Sequence, residues 1–124
     1  MKIVICDKDE VYLRKLKHLL EEIYCEKRYE VDIYTFSDSR TFLSYAEKEK
    51  ADVVILDLVI DEMNGIDVAR QLRMLQGNKV KLIYISSINA CATETYELET
   101  AAFLLKPINK SKLKKICDIL PYSE

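Results

Sequence analysis

Five short apolar runs alternate with segments of helical spacing, and this alternation limits the fold more than any other feature of the chain. The runs are Lys2–Cys6, Val31–Phe36, Val53–Leu56, Val80–Ile85 and Ala102–Leu105. The first and third are continuously apolar, which is typical of parallel strands covered by helices on both faces, whereas the second alternates and is expected at an edge. Repeated strand–helix alternation predicts an α/β fold with a doubly wound parallel sheet.

Four segments carry a stripe of apolar residues at helical spacing. The stripes consist of Leu13, Leu16, Leu19, Leu20 and Ile23; of Phe42, Leu43 and Ala46; of Ile66, Ala69, Leu72 and Leu75; and of Leu113, Ile116, Cys117 and Leu120. Gly77 and Pro121 are expected to end the last two helices. A further helix over Asn89–Glu99 is the weakest assignment, since its stripe is thin and Thr93 and Thr95 are poor helix formers.

The composition is that of an ordinary globular domain. The chain has 124 residues, and because no repeat or linker divides it, we expect residues 1–124 to form a single domain. Its 19 basic and 21 acidic residues give a net charge of −2, which offers no general attraction to nucleic acid or anionic membrane. The cysteines match no zinc spacing and are expected to be reduced, and no signal peptide or membrane span is visible. These features predict a cytoplasmic protein.

Polar side chains gather where the predicted strands end. Asp7 follows the first strand, Asp57 the third, Ser86 the fourth and Lys106 the fifth. In doubly wound sheets the functional site lies at the carboxyl ends of the strands, and carboxylates suit a hard cation such as Mg²⁺. A carboxylate can also accept a phosphoryl group, whose oxygens a lysine and a hydroxyl then contact.

Each of these residues also has an ordinary structural explanation. Asp7 and Asp9 could cap the first helix, Asp57 could cap a loop, and Lys106 could be a solvated lysine. Polar groups at four strand ends in one chain favour the functional interpretation, because a single explanation then covers all of them.

The chain resembles the receiver domain of bacterial two-component response regulators. The stretches that carry the resemblance are MKIVICDKDE, VVILDLVIDEMNG, LIYISS and AAFLLKPI, and together they extend over essentially the whole chain. IVICD and FLLKPI are similar in particular to receivers attached to LytTR-type DNA-binding domains. The resemblance implies a flavodoxin-like (βα)5 fold with strand order 2-1-3-4-5.

The resemblance also implies a role for each residue at the strand ends. Asp57 would accept a phosphoryl group from the phosphohistidine of a sensor histidine kinase. Asp7, Asp57 and the backbone carbonyl of Val59 would hold Mg²⁺. Ser86 and Lys106 would contact the phosphoryl oxygens.

Signal output would involve the fifth strand. Phe103 matches the aromatic switch residue of the family and would turn inward once Ser86 has moved, and the Lys106–Pro107 peptide bond would be cis. Such a domain catalyses only its own phosphorylation and dephosphorylation and is not otherwise an enzyme. It would control transcription through an attached output domain, which these 124 residues do not include.

Lys8 departs from the family pattern, which has two adjacent acids after the first strand. It stands where the acid that contacts the metal is expected, and a unit charge about 4 Å from a cation is worth roughly 4 kcal/mol at an effective dielectric constant of about 20. Either Asp9 enters the pocket while Lys8 points to solvent, or Lys8 takes the cation position and pairs with Asp57. The second arrangement weakens or abolishes Mg²⁺ binding and predicts a pseudo-receiver that binds partners without phosphate.

Charges of opposite sign lie on two segments that flank the fifth strand in this family. Asn89–Glu99 carries Glu94, Glu97 and Glu99, and the last helix carries Lys110, Lys112, Lys114 and Lys115. Many receivers form a homodimer through this face on phosphorylation, and the charges could pair across a two-fold axis. Two solvated helix faces are the alternative, and the lysines are too few to indicate DNA contact by this domain.

Another class of protein, the phosphatases of the haloacid dehalogenase type, also forms an aspartyl phosphate. These enzymes carry a second acid two residues after the nucleophile. After Asp57 this position holds Val59, and Asp9 after Asp7 has no matching later motif, so the sequence disfavours this class.

Overall fold

The computed structural model describes residues 1–60, 63–87 and 100–122. The strands are β1 (Lys2–Cys6), β2 (Asp32–Phe36), β3 (Val53–Asp57), β4 (Lys81–Ser86) and β5 (Thr100–Leu105). The helices are α1 (Glu10–Glu26), α2 (Ser39–Lys48), α3 (Gly65–Gln76) and α4 (Lys110–Ile119). The helix predicted over Asn89–Glu99 lies outside the described residues.

The five strands are parallel and lie in the order β2-β1-β3-β4-β5. This arrangement confirms the predicted fold class and strand order, and it places β2 at an edge as its alternating pattern predicts. β3 and β4 each run one residue further than predicted. Asp57 pairs with Ile85 and Ser86 pairs with Leu105, so these two polar residues are held inside the hydrogen-bonded sheet.

Both faces of the sheet are covered by helices. Successive strand residues point to opposite faces, so Val54 and Leu56 of β3 pack with α2 and α3, whereas Val53 and Ile55 pack with α1 and α4. This double coverage explains why the sequence of β3 is apolar at every position before its final aspartate. No helix in the described ranges combines the length and apolarity that a membrane span requires.

Each described helix begins at an acidic or amide side chain that caps it. Asp9, Asp38, Asn64 and Asn109 precede α1, α2, α3 and α4, and each accepts a hydrogen bond from a backbone N–H in the first turn. Such caps stabilise helices by about 0.5–2 kcal/mol. At the other end of α3, the N–H of Gly77 donates to the carbonyl of Arg73, and its φ of 79° is accessible to glycine without strain.

No disulfide joins the cysteines in the described part of the chain. Cys6 and Cys117 are buried in the two cores, and Cys25 is exposed on α1. The prediction of reduced cysteines therefore agrees with these three residues, and Cys91 lies outside the described part of the chain.

Replacing Tyr84 with Phe is expected to raise the free energy of unfolding by about 1 kcal/mol. Tyr84 on β4 is fully buried, its hydroxyl meets no hydrogen-bond partner among the described residues, and burial raises its pKa. Removing a buried and unpaired hydroxyl relieves its desolvation penalty and keeps the packing of the ring. Urea denaturation measures the change, with exposed Tyr34→Phe as the control. A less stable Tyr84→Phe variant would contradict this expectation.

Candidate functional site

Four strand ends meet at the carboxyl edge of the sheet. Asp7 directly follows β1, and its N–H donates to the carbonyl of Phe36 at 3.0 Å. Lys106 directly follows β5, and its N–H donates to the carbonyl of Ser86 at 2.8 Å. These hydrogen bonds continue the pairing of the strands by one residue. They therefore fix the backbone positions of Asp7 and Lys106. With Asp57 and Ser86 at the ends of β3 and β4, the structure brings together the four residues that the sequence singled out.

Lys106 lies between the two carboxylates. Its Nζ is 2.6 Å from Asp57 Oδ2 and 2.7 Å from Asp7 Oδ2. Asp7 is 0% exposed and Asp57 5% exposed, and burying two carboxylates together costs several kcal/mol per ion without a compensating charge. The ammonium group provides that charge, so Lys106 is a member of the site and not a solvated lysine.

The other carboxylate oxygens are oriented by the backbone two residues further along. Asp57 Oδ1 accepts a hydrogen bond from the N–H of Val59 at 2.8 Å, and Asp7 Oδ1 accepts one from the N–H of Asp9 at 2.9 Å. Asp7 Oδ2 is buried, and its polar contact among the described residues is the ion pair with Lys106 Nζ at 2.7 Å. A carboxylate oxygen has two lone pairs, so Asp7 Oδ2 can bind a cation in addition to this contact.

Burial and neighbouring charges shift two pKa values in this site. Burial raises the pKa of Asp7, and the charge of Asp57 adds to this effect, although Lys106 and the N–H of Asp9 act in the opposite direction. Burial lowers the pKa of Lys106, but its contacts with Asp57 and Asp7 outweigh burial and leave its pKa above the ordinary value. Lys106 is therefore a stable cation at neutral pH.

Lys8 does not take the cation position. It is exposed and forms no ion pair with any described residue, and the cation that contacts Asp57 is Lys106. The Lys8–Asp57 pair considered from the sequence is not formed.

Asp9 also lies outside the pocket. Its Oδ1 accepts from the N–H groups of Val11 and Tyr12, both at 3.1 Å, and so caps α1. The ordinary structural explanation is therefore the one observed for Asp9, and in this structure its side chain lies at the start of α1 and not in the pocket.

The residues present fit a small divalent cation with two carboxylates. The described residues contain no group of three or more acidic, histidine or cysteine side chains suited to a metal. Mg²⁺ usually takes only one or two carboxylates and keeps several waters. Asp7 Oδ2, a buried carboxylate oxygen, supplies a ligand of the required type, and Asp57 and the main chain at Val59 lie on the same edge.

The other residues predicted for the site lie along the same edge of the sheet or next to it. Ser86 is buried, and its carbonyl holds the backbone of Lys106. Phe103 on β5 is half-buried, lies opposite Tyr84 in the strand register and packs against the core shared with α2 and α3. The Lys106–Pro107 peptide bond is cis.

The sequence pattern did not indicate two residues that lie at the site. A Cβ atom on Gly65 would lie 2.3 Å from the carbonyl oxygen of Asp57 and 2.7 Å from Leu58 Cα, so only glycine allows α3 to begin this close to β3. Tyr12 of α1 places its ring centroid 4.4 Å from Lys106 Nζ. Asn64–Gly65 is a visible turn signal, whereas nothing in the local sequence marks Tyr12.

Comparison with known proteins identifies the family of this chain. The model of the response regulator receiver domain matches residues 3–118. An uncharacterized response regulatory protein of Vibrio cholerae is 33% identical over 107 residues, which are 85% of this chain and 40% of that protein. The sensory transduction protein LytT of Bacillus anthracis is 25% identical over 114 residues, which are 91% of this chain and 44% of that protein. The chain thus spans less than half the length of these relatives.

The fold is found in solved structures as well. The response regulatory domain of the protein mrkE from Klebsiella pneumoniae superposes with a TM-score of 0.85 at 23% identity, covering 97% of this chain and 94% of that one. The match of the family model over nearly the whole length, together with the carboxylate–lysine site at the sheet edge, leads to one conclusion. The chain belongs to the family of response regulator receiver domains.

Proposed function

We propose that this domain accepts a phosphoryl group on Asp57 from the phosphohistidine of a sensor histidine kinase. The observation that carries the proposal is the buried Asp57 carboxylate, held by Lys106 and by the N–H of Val59 at the edge of the sheet. This environment fixes the carboxylate as a nucleophile and supplies a positive charge for the phosphoryl oxygens.

The transfer proceeds by substitution at phosphorus. A carboxylate oxygen of Asp57 forms the new P–O bond with its lone pair, while the P–N bond to the donor histidine breaks. The electron pair of that bond returns to the imidazole nitrogen. The Lys106 ammonium, now released from part of its pairing with Asp57, neutralises charge on the transferred oxygens. Water later attacks the phosphorus of the acyl phosphate, the P–O bond to Asp57 breaks with its electron pair returning to the carboxylate, and inorganic phosphate leaves. We propose no other enzymatic activity.

Mg²⁺ is the cofactor that fits the two carboxylates. Asp7, Asp57 and the backbone carbonyl of Val59 would hold it, and when bound it would supply positive charge to the phosphoryl oxygens. Asp7 contributes its buried Oδ2, which in this structure contacts the Lys106 ammonium. Exposed Lys8 adds a positive charge near this edge, so we expect weaker Mg²⁺ binding than in a receiver with an acid at this position.

The phosphorylated state would be transmitted through the neighbouring strand ends. Ser86 would hydrogen-bond the phosphoryl group, and Phe103, which is half-buried, would turn further into the core. We propose that this change controls an attached output domain, and the similarity to LytT supports a LytTR-type DNA-binding domain and control of transcription. Signalling from a histidine kinase to such an output domain would take place in the cytoplasm, which is the location we propose.

A homodimer through β5 and the last helix remains part of the proposal. Lys112, Lys114 and Lys115 of α4 are exposed and available to a second copy. Lys110 instead pairs with Glu22 and Glu26 of α1 within the chain, so it contributes less to such an interface.

Incubation with acetyl phosphate and Mg²⁺ tests the phosphoacceptor. We expect one phosphate per chain by intact-mass spectrometry, sensitive to hydroxylamine as an acyl phosphate is. Asp57→Asn should take up none. Asp67→Asn, which changes an exposed aspartate on α3, should be phosphorylated like the wild type. Absence of phosphate on the folded wild-type chain would refute the proposal.

Replacing Lys8 with Asp is expected to strengthen Mg²⁺ binding by about tenfold or more, because the change reverses a charge near the two carboxylates. The measurement is the Mg²⁺ concentration that gives half-maximal phosphorylation by acetyl phosphate. Lys15→Asp makes the same charge change on exposed α1 and serves as the control. If only the Lys8→Asp variant is phosphorylated, the pseudo-receiver alternative holds, whereas equal Mg²⁺ dependence in all three proteins would exclude a role for Lys8.

A further inference from the structure

Tyr12 forms the third side of the environment around the Lys106 ammonium. Two sides are the oxygens of Asp57 and Asp7, at 2.6 and 2.7 Å from Nζ. The third is the face of the Tyr12 ring, whose centroid lies 4.4 Å from the same nitrogen. A cation at this distance from an aromatic face is attracted by the ring quadrupole.

The start of α1 determines where this ring lies. The N–H of Asp9 donates to Asp7 Oδ1, and Asp9 Oδ1 in turn accepts from the N–H of Tyr12. Two hydrogen bonds, linked through Asp9, thus connect the carboxylate of Asp7 to the backbone N–H of Tyr12. Asp9 therefore serves the site indirectly, by fixing Tyr12 in the first turn of the helix.

The ring and not the hydroxyl makes the contact with the lysine. The Tyr12 hydroxyl is buried near the backbone of Ile108 and forms no hydrogen bond of good geometry. Lysine has a long flexible stem with several rotatable bonds, and its ammonium would otherwise gain conformational freedom by moving toward solvent. An aromatic face that attracts the ammonium limits that movement.

We propose that Tyr12 is a positioning residue for phosphoryl transfer, because its ring holds the Lys106 ammonium between Asp7 and Asp57. This inference rests on the proposed function of Asp57. With acetyl phosphate as donor, Asp57 forms the new P–O bond, the P–O bond to acetate breaks, and acetate leaves with that electron pair. Lys106 acts on the charge of the phosphoryl oxygens, so a displaced ammonium slows this step.

Two substitutions separate the ring from the rest of the side chain. Tyr12→Leu removes the aromatic face and should slow phosphorylation by acetyl phosphate at fixed Mg²⁺ about five- to tenfold. Tyr12→Phe keeps the face and should retain most of the rate. Tyr45→Leu is the matched control, because Tyr45 on α2 is also half-buried with an unpaired hydroxyl but contacts the rings of Tyr34 and Phe36.

A spectroscopic measurement tests the contact without phosphate. The ε-methylene protons of Lys106 should be shifted upfield by the Tyr12 ring in a carbon–proton correlation spectrum. Tyr12→Phe should keep this shift, and Tyr12→Leu should move the signal to the position of exposed Lys8. Urea denaturation of each variant establishes that the domain is folded under the conditions of both measurements.

The possible outcomes distinguish this inference from the proposed function. A slow Tyr12→Leu variant, a nearly normal Tyr12→Phe variant and the parallel change in the Lys106 signal would support the positioning role. A wild-type rate in Tyr12→Leu, equal losses in Tyr12→Leu and Tyr12→Phe, or an equal loss in Tyr45→Leu would overturn it. A wild-type chain that takes up no phosphate would instead refute the proposed function, while the Lys106 signal would still report the contact.

Discussion

Replacing Lys106 with Met is expected to lower the free energy of unfolding by about 3–5 kcal/mol at neutral pH, because it leaves two buried carboxylates without their cation. Methionine has a similar length and preserves much of the packing of the lysine stem. Asp7 is fully buried and Asp57 nearly so, and neither can move into water without disturbing the end of its strand. Urea denaturation at pH 7 measures this loss.

The pH dependence of the Lys106→Met variant provides a second measurement. Burial already raises the pKa of Asp7 in the wild type, and loss of the ammonium raises it further. The folded variant then binds a proton at a pH where the unfolded chain does not, so stability rises as the pH falls through the raised folded pKa. We expect the difference from the wild type to shrink between pH 7 and pH 5.

Lys8→Met is the matched control for this substitution. It removes a neighbouring lysine that is exposed and has no ion pair among the described residues, so its stability should stay within about 0.5 kcal/mol of the wild type. Adding Asp7→Asn to Lys106→Met should recover part of the loss by removing one of the two charges. Equal stability of Lys106→Met and Lys8→Met would contradict the bridging role of Lys106.

Replacing Gly65 with Ala is expected to destabilise the domain by about 3 kcal/mol or more and to reduce phosphorylation of Asp57. The added Cβ would lie 2.3 Å from the Asp57 carbonyl oxygen and 2.7 Å from Leu58 Cα. Both neighbours are backbone atoms at the end of β3. Unlike the end of a flexible side chain, they cannot rotate away from the added atom. Relief of the contact requires α3 to move away or Asp57 to shift.

Gly77→Ala distinguishes these two effects of the Gly65 substitution. A Cβ on Gly77 would meet nothing within 4 Å, but its φ of +79° is unfavourable for alanine. This variant should lose stability without a change in the rate of phosphorylation by acetyl phosphate. If Gly65→Ala remains as stable and as reactive as the wild type, the close approach of α3 to β3 does not exist in solution.

The sequence by itself determined the order and type of the described elements and which residues lie at the sheet edge. The five runs predicted the strands to within two residues at each end, because an apolar run in a doubly covered parallel strand reflects local chain geometry. The same geometry predicted that Asp7, Asp57, Ser86 and Lys106 would share an edge. These are polar residues at the carboxyl ends of apolar runs, and parallel strands bring those ends to one edge of the sheet.

Only the tertiary structure decided which of these groups contact one another. Asp7 and Asp9 both follow β1, yet one is buried beside Lys106 and the other caps α1, because the start of the helix turns their side chains in different directions. The sequence offered Lys8 as a possible cation beside Asp57, whereas the structure has Lys106 there, through a pairing of residues 49 positions apart in the chain. Gly65 and Tyr12 matter for the same reason: their roles depend on the distance between elements, which periodicity and local composition do not encode.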